Sequence, residues 1–286
     1  MKMIKPIVNF SKIADSYDTF IFGYNGVLCN GETINNNAVD CLNHLAALHK
    51  KIIIISNSHL RVSEIAEQIA KSGISLNIFS NIVSAGEVLH YKLKYPAGDY
   101  QALGETYYQI GDKAYSGIMS SLPLQRVNSI EKAHFLFMAK IANPDEAIEN
   151  YRNELEQAVS YGLPFVCAGN DTSCFINGKL ALAPGAFAEA YAVLGGRVIT
   201  TGKPDINILN YTLENLSDIG RALIVGDNAP TDIKMATMAK IPALLISKGR
   251  HINYLGEGYI PDVTKTRELS NSFDVEPEGV ISEVRW

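Results

Sequence analysis

Four short segments of the sequence contain the residue types that bind phosphate groups and divalent cations. They are residues 23–28, 56–58, 202–204 and 226–232. Ser56 and Asn57 offer hydroxyl and amide donors, and Lys203 offers an ammonium group, which together suit a phosphate. Asp227 and Asp232 stand five residues apart, and Mg²⁺ prefers carboxylate oxygens of this kind as ligands. The sequence therefore predicts a site for a phosphate group with a cation nearby.

The segments lie where an open α/β sheet would bring them together. Consecutive apolar residues in 19–22, 51–55, 222–225 and 243–246 predict strands that are buried on both faces, as in a parallel sheet. Apolar residues at helical spacing alternate with these strands, which is typical of the α/β class. Because such sheets bind ligands beyond the carboxyl ends of their strands, we expect the four segments to share one edge.

The middle of the chain predicts a separate module. Residues 107–110 and 133–137 predict strands, and residues 143–146 have the proline and acidic residues of a helix start. Residues 173–182 predict a β-hairpin that turns at Asn177-Gly178. We therefore predict a core domain of residues 1–89 and 188–286, with an inserted domain of residues 90–187. The tail after Lys248 is polar and rich in turn residues.

Composition excludes several functional classes. The 286 residues are 47% hydrophobic and 19% charged, which is typical of neither a disordered chain nor a coiled coil. The net charge is −5, without the basic patch of a nucleic-acid-binding protein. The longest aliphatic run, residues 52–55, is far shorter than the ~20 residues of a membrane span. The four cysteines form no CxxC pair, which favours reduced thiols and predicts a cytoplasmic protein.

The order and spacing of these motifs resemble the haloacid dehalogenase superfamily, class IIA, which includes NagD-like and pyridoxal-phosphate phosphatases. The similarity runs from about Tyr17 to Gly249. The stretches 56–61, 167–171 and 185–196 resemble a bacterial subgroup of that class. The resemblance implies a doubly wound, Rossmann-like parallel sheet with an inserted α/β cap domain of the C2 type. It also implies a phosphorylated small molecule or phosphate ion as ligand, and a possible homodimer; nucleic acid and membrane partners are not expected.

The resemblance assigns roles to individual residues. Ser56 would bind the transferring phosphoryl group, with Asn57 beside it, and Lys203 would neutralise charge on that group. Asp227 would bind Mg²⁺ directly and Asp232 would support it. The Asn170-Asp171 loop of the cap would face the substrate.

The first motif departs from the family pattern at both reactive positions. The family has Asp-x-Asp-Gly after its first strand, with a nucleophile and a general acid/base, but this chain has Gly23 and Asn25 there. Glycine has no side chain and forms no aspartyl-phosphate. The Asn25 amide does not transfer protons at neutral pH, although its backbone carbonyl can still bind a metal. Tyr24 and Asp18 are the nearest possible substitutes, and neither is expected to serve.

Three functions are compatible with this pattern. The first is a catalytically impaired phosphatase-like protein that keeps its phosphate site and binds Mg²⁺ weakly or not at all. The alternative is an active, Mg²⁺-dependent phosphomonoester hydrolase of small phosphorylated metabolites. The third is an interaction protein without a small-molecule ligand.

Overall fold

The structure is a computed structural model that describes residues 3–30, 33–176, 179–214, 216 and 218–286. The chain forms two compact units. The first unit comprises Met1–Ser56, Ser63–Val83 and Lys203–Trp286, and the second comprises Asn57–Val62 and Ser84–Gly202.

The strands of the described residues are short, and most of those in the first unit's sheet are fully buried. They are β1 (Lys5–Ile7), β2 (Thr19–Phe22), β3 (Cys29–Asn30), β4 (Thr33–Ile34), β5 (Lys51–Ser56), β6 (Phe79–Ser84), β7 (Thr106–Ile110), β8 (Gln125–Arg126), β9 (Phe135–Met138), β10 (Phe165–Ala168), β11 (Ser173–Ile176), β12 (Lys179–Leu182), β13 (Val198–Thr201), β14 (Ala222–Gly226), β15 (Ala243–Ile246) and β16 (Gly279–Ile281).

The α-helices alternate with strands along much of the chain. They are α1 (Asn36–Ala47), α2 (Val62–Lys71), α3 (Ala85–Lys94), α4 (Arg152–Ser160), α5 (Pro184–Val193), α6 (Ile206–Leu213), α7 (Lys234–Ala239), α8 (Ile252–Leu255) and α9 (Val263–Phe273). A π-helical turn, Ala229–Ile233, leads into α7. No helix within the described ranges is long and apolar enough to cross a membrane.

The first unit is built on a seven-stranded sheet in the order β1-β16-β15-β14-β2-β5-β6. The pairs from β1 across to β5 are all parallel. The chain proceeds from β2 to β5 and β6 on one side, and from β14 to β15 and β16 on the other. The strand order therefore reverses between β2 and β14, and open α/β sheets bind ligands at such a point.

The predicted α/β class and Rossmann-like parallel sheet are confirmed by this topology. The strands β2, β14 and β15 are buried at every position. A strand that packs helices on both faces has no solvent-facing side, so it needs apolar residues at consecutive positions. This is why the uninterrupted runs, rather than alternating ones, identified the sheet.

The second unit has its own five-stranded sheet, in the order β13-β10-β9-β7-β8, and all four pairings are parallel. Its strands β9 and β10 are completely buried between two apolar clusters. A separate antiparallel pair, β11 and β12, forms the predicted hairpin arms. The predicted turn residues Asn177 and Gly178 lie outside the described residues.

The two units differ from the predicted domain boundaries at residues 84–89 and 188–202, which belong to the second unit together with Asn57–Val62. β13 joins the second sheet because it pairs with β10. The Thr201 hydroxyl also donates to the Ala85 carbonyl at 2.9 Å, which ties the start of α3 to the same unit. The interpretation of the two units as core and cap stays a prediction.

Two other local predictions were wrong. Residues 143–146 form an isolated turn, in which the Asn143 side chain accepts from the Asp145 N–H, and α4 begins only at Arg152. The Asn143 side chain therefore caps a single turn and does not start a helix. The turn-rich tail contains α9, whose first N–H groups are capped by Asp262. Its apolar residues are too sparse for the periodicity to identify it.

Candidate functional site

The candidate site lies at the carboxyl edge of the first unit's sheet. Gly23 follows β2, Ser56 ends β5 and Asp227 follows β14. These three strands are neighbours and run parallel, so their carboxyl ends meet where the strand order reverses. Ser56 and Asp227 are both buried, and the sheet alone is enough to bring them to the same edge.

Lys203 and Asp232 form a buried ion pair within this unit. The Lys203 Nζ donates to Asp232 Oδ1 at 2.6 Å and to the carbonyl of Ile55 at 2.9 Å. Both side chains are about 95% buried, with exposed fractions of 6% and 4%. Asp232 Oδ2 also accepts from the Asn228 N–H at 3.1 Å. Because burying two charges is costly unless they are paired and hydrogen-bonded, this arrangement depends on both partners.

Asp227 is held in place by backbone on two sides. Its Oδ2 accepts from the Arg250 N–H at 2.7 Å. A Cβ on Gly26 would lie only 1.9 Å from that same oxygen, and a Cβ on Gly249 would lie 2.3 Å from the Asp227 Cβ. The carboxylate therefore fits only because both neighbours are glycines. Gly26 also has a φ of +77°, which glycine adopts without strain.

Gly26→Ala is expected to destabilise the protein more than Gly73→Ala. Both glycines have a φ of +77°, but a Cβ on Gly73 would meet nothing within 4 Å. Each change costs about 1 kcal/mol for the left-handed backbone. In Gly26→Ala the new methyl also displaces Asp227 from the Arg250 N–H, and an unsatisfied buried group adds about 1–3 kcal/mol. Urea denaturation measures both free energies of unfolding, and equal losses would contradict the packing of Gly26 on Asp227.

Gly23 occupies the position beside the Lys203–Asp232 pair. A Cβ built there would lie 3.0 Å from Val27 Cγ2 and 3.4 Å from Asp232 Oδ1. Its φ is outside the left-handed region, and its N–H donates to the Val225 carbonyl at 2.8 Å. The backbone therefore does not require glycine here. A side chain fits if Val27 shifts by a few tenths of an ångström, and a carboxylate would point toward the ion pair.

The neighbours of Gly23 are engaged elsewhere. The exposed Asn25 accepts through Oδ1 from the Cys29 thiol at 3.4 Å. Tyr24 is buried, and its hydroxyl donates to Gln68 Oε1 at 3.1 Å. Asp18 accepts from the Arg221 N–H at the opposite end of β2. Neither Tyr24 nor Asp18 is therefore placed to substitute for a carboxylate at position 23.

The remaining predicted residues belong to the second unit. Asn57 is bonded to Ser56 in the chain, and its Nδ2 donates to Asp171 Oδ1 at 3.2 Å. A Cβ on Gly169 would lie 2.2 Å from the Asn57 carbonyl oxygen, so the loop after β10 packs directly on Asn57. The backbone of Asn170 packs on Gly185 at the start of α5. The structure therefore brings Asn57 and the 170–171 loop together.

Sequence reasoning missed the segment 249–251 that follows β15. Besides the Gly249 and Arg250 contacts with Asp227, His251 Nε2 accepts from the Ala229 N–H at 3.1 Å. Burial and the charge of Arg250 lower the pKa of His251 to about 4, so it remains neutral and supports the π-helical turn that carries Asp232. The strand 243–246 was predicted, and residues after a parallel strand are candidates for its carboxyl edge, so that signal was present.

The residues at this edge do not fit the three-carboxylate Mg²⁺ site that the resemblance implies. Gly23 supplies no side-chain oxygen, and Asp232 Oδ1 is bonded to the Lys203 ammonium. Among the described residues there is no group of three or more His, Cys, Asp or Glu side chains able to hold a metal. Mg²⁺ requires six oxygens in an octahedron and gives up its waters reluctantly, so two carboxylates, one of them ion-paired, are a poor donor set.

Most of the chain matches a known protein family. Residues 17–240 match the model of a hydrolase family, the haloacid dehalogenase-like hydrolases. The chain is 22% identical over 270 residues to a 4-nitrophenylphosphatase of Schizosaccharomyces pombe, covering 86% of this chain and 88% of that protein. It is 23% identical over 270 residues to phosphoglycolate phosphatase 2 of Arabidopsis thaliana, covering 84% and 86%.

A solved structure shows the same fold over almost the whole chain. It is a haloacid dehalogenase-like hydrolase from Brucella suis 1330, with a TM-score of 0.80 and 25% sequence identity, covering 96% of this chain and 98% of that one. These matches confirm the resemblance inferred from the motifs. Phosphatases of this kind act on phosphorylated small molecules and generally use Mg²⁺.

Proposed function

We propose, from the premise that this chain belongs to the haloacid dehalogenase-like hydrolases, that it binds phosphate or a phosphorylated small molecule and is impaired in hydrolysis. One observation carries the proposal: Gly23 stands beside the buried Lys203–Asp232 pair, where the chemistry of the family needs an aspartate. Without that side chain no covalent phosphoryl intermediate forms at this position. Ser56, Lys203 and the backbone of the edge remain as phosphate-binding groups.

The charge of the site supports binding of an anion without a metal. Lys203, Asp227 and Asp232 together carry a formal charge of about −1, whereas aspartates at positions 23 and 25 would make it about −3. Each carboxylate at ~4 Å from a phosphate repels it by about 4 kcal/mol at an effective dielectric constant of ~20, before solvent relaxation reduces the effect. The loss of two carboxylates therefore removes the repulsion that Mg²⁺ normally has to overcome.

The proposal predicts that inorganic phosphate binds in the presence of EDTA. Isothermal titration calorimetry with EDTA, and again with millimolar Mg²⁺, is expected to give the same affinity for phosphate within about threefold. Asp227→Asn removes one more negative charge and is expected to leave this affinity equal or higher. Mg²⁺ alone is expected to bind weakly, because the donor set lacks a third carboxylate. Phosphate binding that requires Mg²⁺, or sub-micromolar Mg²⁺ binding, would contradict the proposal.

The alternative is an active Mg²⁺-dependent phosphomonoester hydrolase. It is favoured by the curated relatives, which are a 4-nitrophenylphosphatase and a phosphoglycolate phosphatase. The turnover of the native chain at high protein concentration separates the two functions. A kcat near 1 s⁻¹ on any phosphomonoester would favour the hydrolase and overturn the proposed impairment.

A further inference from the structure

The loop after β2 carries a side-chain amide at the carboxyl edge of the first unit's sheet. Gly23 opens this loop beside Asp232, whose Oδ1 would lie 3.4 Å from a Cβ at position 23. A Cβ on Gly26 would lie 1.9 Å from Asp227 Oδ2. Asn25 directly precedes Gly26 in the chain, and consecutive Cα atoms are about 3.8 Å apart. The Asn25 side chain is exposed, so it extends from this edge to where a ligand can reach it.

The loop is closed by hydrogen bonds within its own backbone. The Gly26 N–H donates to the Cys29 carbonyl at 2.7 Å. The N–H groups of Leu28 and Cys29 donate to the Tyr24 carbonyl at 2.9 and 3.2 Å. Asn25 and Cys29 are thereby paired as an isolated β-bridge, and Cys29 is only 2% exposed. The backbone therefore fixes the Cys29 side chain next to Asn25.

The Cys29 thiol determines which way the Asn25 amide faces. Burial raises the pKa of this thiol to about 12, so it stays protonated and is a hydrogen-bond donor. Asn25 Oδ1 lies 3.4 Å from Cys29 Sγ, and the Tyr24 carbonyl is a second acceptor at 3.6 Å. Because sulfur is only a weak acceptor, the amide oxygen faces the thiol and the amide nitrogen faces away. Asn25 Nδ2 has no hydrogen-bond partner among the residues that the structure describes.

Position 25 therefore offers hydrogen-bond donors where the family motif has a carboxylate. An amide nitrogen carries two N–H donors and no charge, whereas a carboxylate only accepts hydrogen bonds. A fully ionised phosphate or sulfate group has only acceptor oxygens. Such a group gains a hydrogen bond from an amide, and a carboxylate at the same position repels it. The replacement of an acid/base by Asn25 thus favours binding of an oxyanion.

Building on the proposed function, we infer that Asn25 Nδ2 binds an oxygen of the phosphate group, and that Cys29 is the positioning residue that keeps Nδ2 turned to the ligand. Asn25 then joins Ser56 and Lys203 as a ligand-binding residue. Since its contribution is a donor, the site takes tetrahedral oxyanions that are fully ionised. The ligand class therefore includes sulfate groups as well as phosphate groups.

The test uses two anions that differ by one hydrogen. In mildly alkaline buffer, hydrogen phosphate and sulfate have the same charge and nearly the same shape, but only hydrogen phosphate has an O–H to donate. Calorimetry in EDTA measures the affinity of the chain for each. Asn25→Ala is expected to weaken both by about tenfold and to leave their ratio unchanged, because it removes a hydrogen bond to a charged group.

Asn25→Asp is expected to change the ratio itself. The new carboxylate accepts from the O–H of hydrogen phosphate but only repels sulfate, so the preference for phosphate is expected to rise about tenfold above that of the native chain. Asn271→Asp is the matched control for the added charge. Asn271 is exposed near the end of α9, which leads to the amino end of β16, so both affinities are expected to stay at the native values.

Two variants of Cys29 test its positioning role. Cys29→Ser keeps a hydroxyl donor for Asn25 Oδ1 and is expected to bind phosphate as tightly as the native chain. Cys29→Ala has no donor, so the amide is free to turn and the affinity is expected to fall about threefold. A thiol that served packing alone would give equal losses in both variants, and that result would overturn the role of Cys29.

Nuclear magnetic resonance gives a direct readout of the contact. The side-chain amide signals of Asn25, identified by their absence in Asn25→Asp, are expected to shift when phosphate is added and not when chloride is added. Signals that do not respond to bound phosphate would contradict the inference.

The outcomes separate this inference from the proposed function. If the native chain binds phosphate but Asn25→Ala binds both anions equally well, the inference is wrong and the proposed function stands. An unchanged phosphate-to-sulfate ratio in Asn25→Asp would also overturn it. If the native chain binds neither anion, the proposed function fails and the inference with it. Circular dichroism confirms that each variant is folded, and the Asn25 variants decide the matter if a Cys29 variant does not fold.

Discussion

Gly23→Asp combined with Asn25→Asp is expected to turn this chain, whose proposed function is phosphate binding with impaired hydrolysis, into a Mg²⁺-dependent phosphatase. The loss of a nucleophile costs roughly 10⁴ to 10⁶ in rate, and the loss of a general acid/base roughly 10² to 10⁴. The structure favours this repair, because the Gly23 backbone is not in the left-handed region. The new Cβ would lie 3.4 Å from Asp232 Oδ1, the oxygen that accepts a hydrogen bond from the Lys203 ammonium.

The single variants are expected to be much weaker, because a nucleophile and an acid/base act as a unit. Gly23→Asp is expected to be the better of the two, since it restores both a nucleophile and a metal ligand. Gly23→Asn with Asn25→Asp is the matched control: it has the same shape as the repaired motif but lacks the nucleophilic carboxylate. Release of 4-nitrophenol from 4-nitrophenyl phosphate, with and without Mg²⁺, measures all of them together with the native chain.

A folded double variant without activity on any substrate would contradict the repair. It would mean that the rest of the edge no longer holds a phosphoester in line with position 23, where a misplacement of ~1 Å reduces the rate by ~10²-fold. The nearest atom to a Cβ at position 23 is Val27 Cγ2, at 3.0 Å. Adding Val27→Ala to the double variant therefore tests whether that contact is the obstacle.

Lys203→Met is expected to destabilise the protein strongly and to abolish phosphate binding. It leaves the Asp232 carboxylate, 4% exposed, without the ammonium that lies 2.6 Å from it. Removal of one partner from a buried ion pair costs about 3–5 kcal/mol, because the other charge remains buried and uncompensated. The same change removes the cation that attracts phosphate. Urea denaturation and phosphate calorimetry measure the two effects separately.

The double variant Lys203→Met with Asp232→Asn separates stability from binding. It removes the uncompensated charge, so most of the lost stability is expected to return, with a coupling free energy of about 2 kcal/mol or more between the two positions. Phosphate binding is expected to stay absent, because no ammonium has been restored. Recovery of phosphate binding in the double variant, or retention of it in Lys203→Met, would show that Lys203 is not the phosphate-binding cation.

Much of the candidate site was predictable from local sequence. The runs at 19–22, 51–55 and 222–225 identified the parallel sheet, and the polar segments after them identified its carboxyl edge. This worked because a strand buried on both faces needs consecutive apolar residues, and a polar residue after such a strand has few other positions to occupy. The sequence alone likewise shows that position 23 is a glycine and has no side chain.

The contacts that define the site required the tertiary structure. Lys203 and Asp232 are 29 residues apart, and no local sequence pattern predicts that they form a buried ion pair. The assignment of β13 and of Asn57–Val62 to the second unit depends on strand pairing and loop packing. Local sequence determines which residues form strands and which polar residues come directly after them. Strand order is instead set by pairing between distant segments, and that order decides which side chains meet.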